Sequence, residues 1–432
     1  MKRRTILKGL LGAAGAAAMG GFRLPLANAA HHAGKLYVFV QANGGWDPTS
    51  FCDPKDNVSG EPIINNWAET AEIREAGNIR YAPFAANEAF FEKYYQRILV
   101  INGVDAQTNS HTVGVVHNWS GRTSEGYPTA TALLAGHYAP DLSVPYLSFG
   151  GYSETGGVAR FTRMNNPDLL RNIATPHIPH WNAEARYFSD ADWAALEARR
   201  AASARRLGNA ADLLPGEARN REFHASAFAA ADGLAAYAAA LPSNDELEQP
   251  ERYQGANYNY HSDLKRQAQL TVLAFKTGVA VSADLWLGGF DTHAYHDRDH
   301  GWLLGNLTGA VDFLWDYAEE HGIADRLVVV MGSDFGRTNA YNAKSGKDHW
   351  PIGSYVVMEK NQPWTNRAVG STDERHFAHR INPATLERDD RSGSIIYPKH
   401  VHKALRRYLG IEQTPGALRF PFNNTEDFAF FG

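Results

Sequence analysis

Two neighbouring runs decide the fold: Val279-Ala-Val-Ser-Ala-Asp-Leu-Trp-Leu287, breaking into Gly288-Gly-Phe-Asp291-Thr-His293, and Arg326-Leu-Val-Val-Val-Met331, breaking into Gly-Ser-Asp334-Phe-Gly-Arg337. Each is an apolar stretch of strand length that ends in glycine and then an acidic residue. Between them, about 301–321, apolar residues recur at helical spacing, and a second helix is expected over about 260–277. Strand, glycine–acid turn, helix and strand again is a βαβ pattern, whose parallel strands lie buried beneath helices on both faces.

The same pattern recurs outward from this stretch. Lys35-Leu-Tyr-Val-Phe-Val40 runs into Gln-Ala-Asn-Gly-Gly45, with Asp47 just beyond. A helix over 86–96 precedes the strand Arg97-Ile-Leu-Val-Ile-Asn-Gly103, and Ser110 and His111 open a helix running to about residue 122. Pro145-Tyr-Leu-Ser-Phe149 and Ser354-Tyr-Val-Val-Met358 read as further strands, and a helix over 398–409 closes the chain. The expected class is therefore α/β, a mostly parallel sheet with helices on both faces. Over about 182–242 strand signals vanish, and Ala-rich, charged segments predict a helical insertion split near Leu214-Pro215-Gly216 and closed by Pro242. Trp193, Leu196, Phe223, Phe228 and Tyr237 argue that it packs rather than forming a disordered linker.

Composition sets the outer limits. The chain has 432 residues, 44% hydrophobic and 21% charged, which fits a folded globular protein and excludes a fibrous or disordered one. A net charge of −5 provides no basic field for a nucleic-acid backbone. The single cysteine, Cys52, excludes an intrachain disulfide, a cysteine zinc cluster and iron–sulfur ligation.

At the N-terminus, Met1-Lys-Arg-Arg-Thr-Ile-Leu-Lys8 is basic, Gly9 to Gly21 weakly apolar, and Ala27-Asn-Ala29 a small-residue cleavage site. The apolar run is too short to span about 30 Å of hydrocarbon. Arg3-Arg4-Thr-Ile-Leu-Lys8 resembles the twin-arginine export motif. The expected organisation is thus a signal peptide over 1–29 and one α/β domain over 30–432. The likeness implies passage through the twin-arginine translocase in a folded state, a periplasmic or secreted location in a bacterium, and no transmembrane anchor in the mature chain. Five basic residues and no acidic ones lie in 1–29, so the remainder is five charge units more negative than the whole.

Asp47, Asp291 with His293, and Asp334 all sit just past predicted strand ends. In an open parallel sheet those ends form one rim, where ligands bind. Carboxylates brought together there repel unless a cation lies between them. Mixed Asp and His ligands suit zinc or a similar divalent ion, and Asp348-His349 can add another imidazole. Taken singly, each acid also suits a turn or a helix cap.

These residues carry a resemblance. Gly289-Phe-Asp-Thr-His293, Leu327-Val-Val-Val-Met-Gly-Ser-Asp-Phe-Gly-Arg-Thr338, Gly346-Lys-Asp-His349, the Gly-Gly-Trp-Asp turn at 44–47 and Asn109-Ser-His111 are similar to the motifs of the domain of unknown function 1501 family. That family in turn resembles the alkaline phosphatase/sulfatase superfamily, which implies an alkaline phosphatase-like fold and roles for particular residues. Asp47 matches the first metal carboxylate, Ser110 the nucleophile at a helix N-terminus, Asp291 and His293 the pair of one metal site, Asp334 the carboxylate of another, and His349 the final histidine. The sequence departs from that pattern at Phe335, where the superfamily has histidine, at Asp334 and Trp350, where relatives often have Glu and Gly, and in the tight Asp-x-His spacing, which leaves His296 as a competing ligand.

The implied activity is hydrolysis of phosphate or sulfate esters, of small molecules or polysaccharide. Arg337 would grip the anion and His111 would orient or protonate the leaving group. The alternative is a non-catalytic exported protein that keeps the fold and a structural metal. Local readings stay open as well: Ser110 as an N-cap, Arg337 as a structural ion pair, and His111 and His117 facing pocket or core. Trp46, Trp119, Trp286 and Trp350 pack in the core or form a sugar-binding wall. His376, His379, His400 and His402 are expected at the solvated surface.

Overall fold

A computed structural model describes residues 32–432 except 165, 180, 183, 212 and 230, so the expected signal peptide lies outside the described residues. Eight strands form the main sheet: β1 (Leu36–Ala42), β2 (Ile98–Asp105), β3 (Tyr146–Ser148), β4 (Thr162–Arg163), β5 (Ser282–Leu287), β6 (Leu327–Ser333), β7 (Ile352–Met358) and β8 (Arg367–Val369). Their order across the sheet is β8-β2-β7-β6-β1-β5-β3-β4. All seven residues of β1, of β6 and of β7 are buried. Alternate side chains of a strand point to opposite faces, so both faces of the sheet centre are covered. The covering helices form two groups. Helices α1 (Asn87–Tyr94) and α4 (Leu264–Lys276) pack on α5 (His296–Glu320); α2 (His111–Ser120) and α3 (Ala130–Tyr138) pack on α6 (Pro398–Tyr408).

One strand departs from the expected parallel order. β7 runs antiparallel to both its neighbours, β6 and β2. A parallel return needs a crossover helix, and residues 334–351 contain none; the chain doubles back as a long hairpin-like loop. Sequence patterning is also silent on four outlying features: the edge strands β4 and β8, and two short ribbons, Arg74–Ala76 with Ile79–Tyr81 and Glu251–Gln254 with Asn259–Ser262.

Between α3 and α4 the chain forms helices Asp190–Gly208, Pro215–Ala229 and Ala231–Ala240. The first has no buried residue, whereas Tyr237 in the last is fully buried and donates its hydroxyl to the Leu270 carbonyl at 2.8 Å.

Three histidines expected at the surface are instead buried: His376, His400 and His402; His379 is half-buried. α6 turns His402 inward, where its Nε2 donates to the Asn118 carbonyl at 2.7 Å and burial pushes the imidazole down to about 3. His117 lies in the core, not at the site, bonded to the Ala106 carbonyl at 2.9 Å. Trp46 and Trp119 are fully buried core residues, while Trp286 and Trp350 are half-buried.

Candidate metal centre

The strand register explains why distant residues meet. Ala42 pairs with Ser333 on one side and Leu287 on the other, so β1, β5 and β6 end level. Asp105, at the end of β2, faces Ile352 at the start of the reversed β7. Turns after 42, 287, 333 and 105, and the loop before 352, therefore share one rim. The Gly44-Gly45 turn requires glycine, with φ of +117° and +88°, and a Cβ on Gly44 would lie 2.5 Å from the Asp291 nitrogen.

Three imidazoles converge on one carboxylate oxygen at this rim. Asp291 Oδ1 lies 2.9 Å from His293 Nε2, 3.0 Å from His349 Nε2 and 3.3 Å from His111 Nε2. His349 Nε2 is also 3.0 Å from the Nε2 atoms of both His111 and His293. The opposite nitrogen of each ring faces a group that can only accept. His111 Nδ1 meets Asp334 Oδ2 at 2.8 Å, His293 Nδ1 meets Asp348 Oδ1 at 2.6 Å, and His349 Nδ1 meets the Asn109 carbonyl at 2.8 Å. In the neutral ring each Nδ1 therefore carries the proton, which turns the three Nε2 lone pairs and a carboxylate oxygen toward one space. His111, Asp291 and His349 form a group whose ligand atoms lie within 4.8 Å of one another, close enough to hold one ion.

Charge points the same way. Three carboxylates, Asp291, Asp334 and Asp348, gather here, and the Arg337 guanidinium pairs with Asp291 at 2.7 Å, so the surroundings favour a cation. Without such a cation, hydrogen bonds to Asp291 and Asp334 raise His111 to about 9 against the effect of burial. Burial pushes Asp291 up, but its bonds from His111 and Arg337 outweigh that and hold it far below the usual carboxylate range. The residues present suit an oxygen–imidazole metal site.

The remaining predicted residues take other places. Asp334 is buried and does not face the convergent atoms. Its oxygens accept from Gln41 Nε2 at 3.2 Å, Asn43 Nδ2 at 3.3 Å and the Gly44 amide at 3.0 Å, besides His111, which makes it the group that orients His111. Phe335 packs against both His111 and His349, with ring centroids 4.8 Å apart in each case.

Asp47 is withdrawn into a fully buried cage. Its Oδ2 accepts from Lys347 Nζ at 2.6 Å, Ser50 Oγ at 3.0 Å and His296 Nε2 at 3.1 Å. Burial would raise the Asp47 carboxyl, but the Lys347 ammonium and the His296 bond hold it well below the ordinary range. The cation beside this carboxylate is the chain's own Lys347 ammonium, where the sequence reading expected a metal ion. His296 is thereby committed to Asp47, and His300 accepts from the Asp47 amide at 2.9 Å.

Arg337, expected as an anion clamp, is fully buried, with its donors turned to the protein. Nε donates to the Gly45 carbonyl at 2.9 Å, Nη1 to the Lys347 carbonyl at 3.2 Å, and Nη2 to the Gly44 carbonyl and to Asp291 Oδ1 at 2.7 Å. No fork is left to meet a substrate. Ser110 precedes α2 as its exposed N-cap, but its hydroxyl makes no capping bond and joins none of the groups above. Beside Asp291 and His293 opens a recess of about 150 Å³, walled by Tyr258, Tyr260, Asp299 and Lys344.

Lys347, Asn65 and His300 escaped the sequence reading. A lysine in a polar loop reads as solvated, and only the docking of that loop on 292–296 buries it; the Lys347 amide donates to the Thr292 carbonyl at 3.1 Å and the His296 amide to the Ser345 carbonyl at 2.8 Å. Among the described residues, no helix is long and apolar enough to cross a membrane.

Among solved structures the chain is similar to Ps i-CgsB in complex with k-i-k-neocarrahexaose (TM-score 0.38, 8% identity, covering 92% of this chain and 75% of that one). It is similar to the PsFucS1 sulfatase from Pseudoalteromonas sp. (TM-score 0.37, 8% identity, 89% and 70%). A magnesium-bound variant of TAB5 alkaline phosphatase also matches (TM-score 0.32, 9% identity, 78% and 94%). At such distances the chemistry of this chain rests on its own side chains. No curated protein matches it by sequence. The motifs along the rim and the strands that carry them lie within residues 35–387, which match the family described as protein of unknown function (DUF1501), and the chain belongs to that family.

Proposed function

We propose that the protein is an exported, metal-dependent hydrolase of phosphate or sulfate esters. The observation that carries the reading is the convergence of three Nε2 lone pairs on Asp291 Oδ1, with every Nδ1 proton already committed elsewhere. Asp291, His111 and His349 would hold the ion, with His293 beside them, and zinc suits this mixed set. Bound there, a divalent ion would act as a Lewis acid, polarising an ester oxygen and neutralising charge that develops on it.

The chain's own residues do the rest. Asp334, Asp348 and the Asn109 carbonyl fix the three rings, and Arg337 fixes Asp291. The recess walled by Tyr258 and Lys344 gives a substrate access along the Asp291–His293 flank, and the Lys344 ammonium favours an anionic one. The exposed Ser110 hydroxyl at the α2 N-terminus is the candidate nucleophile, on the end of a helix that attracts anions. Export through the twin-arginine route to a periplasmic or secreted location belongs to the same proposal and rests on the basic leader.

A second reading has support of its own: a non-catalytic exported protein with a structural metal. Arg337 presents no fork to a substrate, and Ser110 has no base bonded to it. One experiment separates the two. Protein lacking residues 1–29 is analysed for bound metal and assayed on phosphate monoesters, phosphodiesters and sulfate esters, beside Asp291→Ala. Metal and turnover that both vanish in the variant support the hydrolase. Metal without turnover on any ester establishes the second reading, and absence of metal from the unsubstituted protein overturns both.

A further inference from the structure

Behind the rim lies a closed ionic cage for which the proposed chemistry has no use. Lys347 Nζ donates to Asp47 Oδ2 at 2.6 Å, to Thr49 Oγ1 at 3.1 Å and to Asn65 Oδ1 at 3.1 Å. An ammonium has three protons, and each has an oxygen here. Thr49 gives Asp47 Oδ1 both its amide, at 3.0 Å, and its hydroxyl, at 2.7 Å. All four side chains are buried. A buried ion pair is a poor source of net stability, because desolvation offsets the attraction, so its worth lies in what it holds in place.

The neighbours of Lys347 show what that is. Its carbonyl accepts from Arg337 Nη1, the next residue, Asp348, orients His293, and the one after, His349, supplies a convergent Nε2. Asp348 and His349 are themselves partly open to solvent, so the buried part of this loop is its root at Lys347. We propose that Lys347 is a positioning residue: its caged ammonium pins the loop at the depth where Asp348 meets His293 and His349 meets Asp291. The proposal rests on reading the rim as a metal centre, although the pinning itself exists without the metal.

The test removes the ammonium and then returns it. Lys347→Ala leaves a channel that n-propylammonium can fill, whereas Lys347→Met fills the channel without charge. Cobalt(II) affinity is measured by chelator competition, with the cobalt absorption bands recorded. Both variants are expected to bind about 10- to 100-fold more weakly, in line with the loss of a group that orients ligands. n-Propylammonium should restore affinity and spectrum in Lys347→Ala and not in Lys347→Met. Tyr237→Ala, a core change in the helical insertion, controls for lost stability and should leave cobalt affinity within about twofold.

In metal-free protein, amide exchange across 339–350 should quicken in Lys347→Ala and slow again with the amine. That arm decides the proposal even where the unsubstituted protein binds no metal, a result that would sink only the proposed function. If Lys347→Ala does not fold, Asp47→Asn/Lys347→Met removes both charges and should fold with a fast-exchanging loop. Unchanged exchange in these variants, or unchanged cobalt binding and spectrum in Lys347→Met, overturns the proposal.

Discussion

Asp334→Asn probes the centre without touching an atom that faces it. Asp334 Oδ2 accepts from His111 Nδ1 at 2.8 Å and from the Gly44 amide at 3.0 Å, while Oδ1 faces two side-chain amides. An asparagine can turn its carbonyl toward His111, in which case a charged acceptor becomes a neutral one and the ring a weaker ligand. It can instead turn its NH₂ toward His111, which forces the proton onto Nε2 and removes the lone pair. Either way metal affinity should fall about 10- to 100-fold, or about 1.4–2.7 kcal/mol. Stability should fall by about 1–3 kcal/mol where the buried Gly44 amide loses its partner. The assay is a chelator-competition titration of metal-free protein, with urea denaturation in parallel. The same change at Asp348, whose side chain is 53% exposed, should have a smaller effect because water can replace the lost acceptor. A folded Asp334→Asn protein with unchanged affinity would refute the idea that the Nδ1 partners set the three lone pairs.

Other outcomes follow from the same geometry. Gly346→Ala would place a Cβ 2.0 Å from the His293 carbonyl group, so the loop must retreat from that strand end; reduced melting temperature and weakened metal binding together are expected, and a neutral result contradicts the close approach. Arg337→Lys keeps the charge but abandons several carbonyls, and should cost about 3–5 kcal/mol in urea denaturation; a loss below about 1 kcal/mol would show that the guanidinium fork is dispensable. Stability should also fall in mild acid. Burial lowers His402 to about 3 and His117 and His376 to about 4, so the unfolded chain takes up protons from about pH 6.5 downward while the folded chain does not. Stability is complete above that pH and declines toward pH 4, on the order of 2–3 kcal/mol per residue by pH 4.5. A melting temperature that is flat between pH 7 and 5 would contradict burial of these rings in the neutral form.

The legibility of the chain follows physical lines. Buried parallel strands such as Leu327–Ser333 are continuous apolar runs, so their positions can be read directly from sequence. The direction of Ile352–Met358 cannot, because the same apolar run suits either sense and only the missing helix before it decides. At the site, Asp291, His293 and His349 stood out because strand ends carry function in such sheets. Asp47 and Asp334 carried the same signal for a different reason: each is a carboxylate at a strand end that serves another side chain. Which of the two holds is a matter of neighbours such as Lys347 and Gly44, set by tertiary docking rather than by local pattern. The buried histidines of α6 were misplaced for a related cause, since a polar helix face can still point inward when carbonyls such as that of Asn118 await it.

The position of β1 bears on the order in which the molecule is assembled. Among the described residues it is the first strand along the chain, yet it lies between β5 and β6, whose residues pair with it from 282 and from 327 onward. The middle of the sheet therefore stays open until most of the chain has been made, and ring closures over such separations are slow steps in folding. Asp334, Arg337 and His349 lie close together in sequence and can gather early, whereas the Gly44-Gly45 turn that braces Asp334 and Arg337 arrives only when β1 slots in. Capture of the proposed ion would thus be coupled to that closure of the sheet. A chain exported after folding would carry its metal from the compartment where that closure took place.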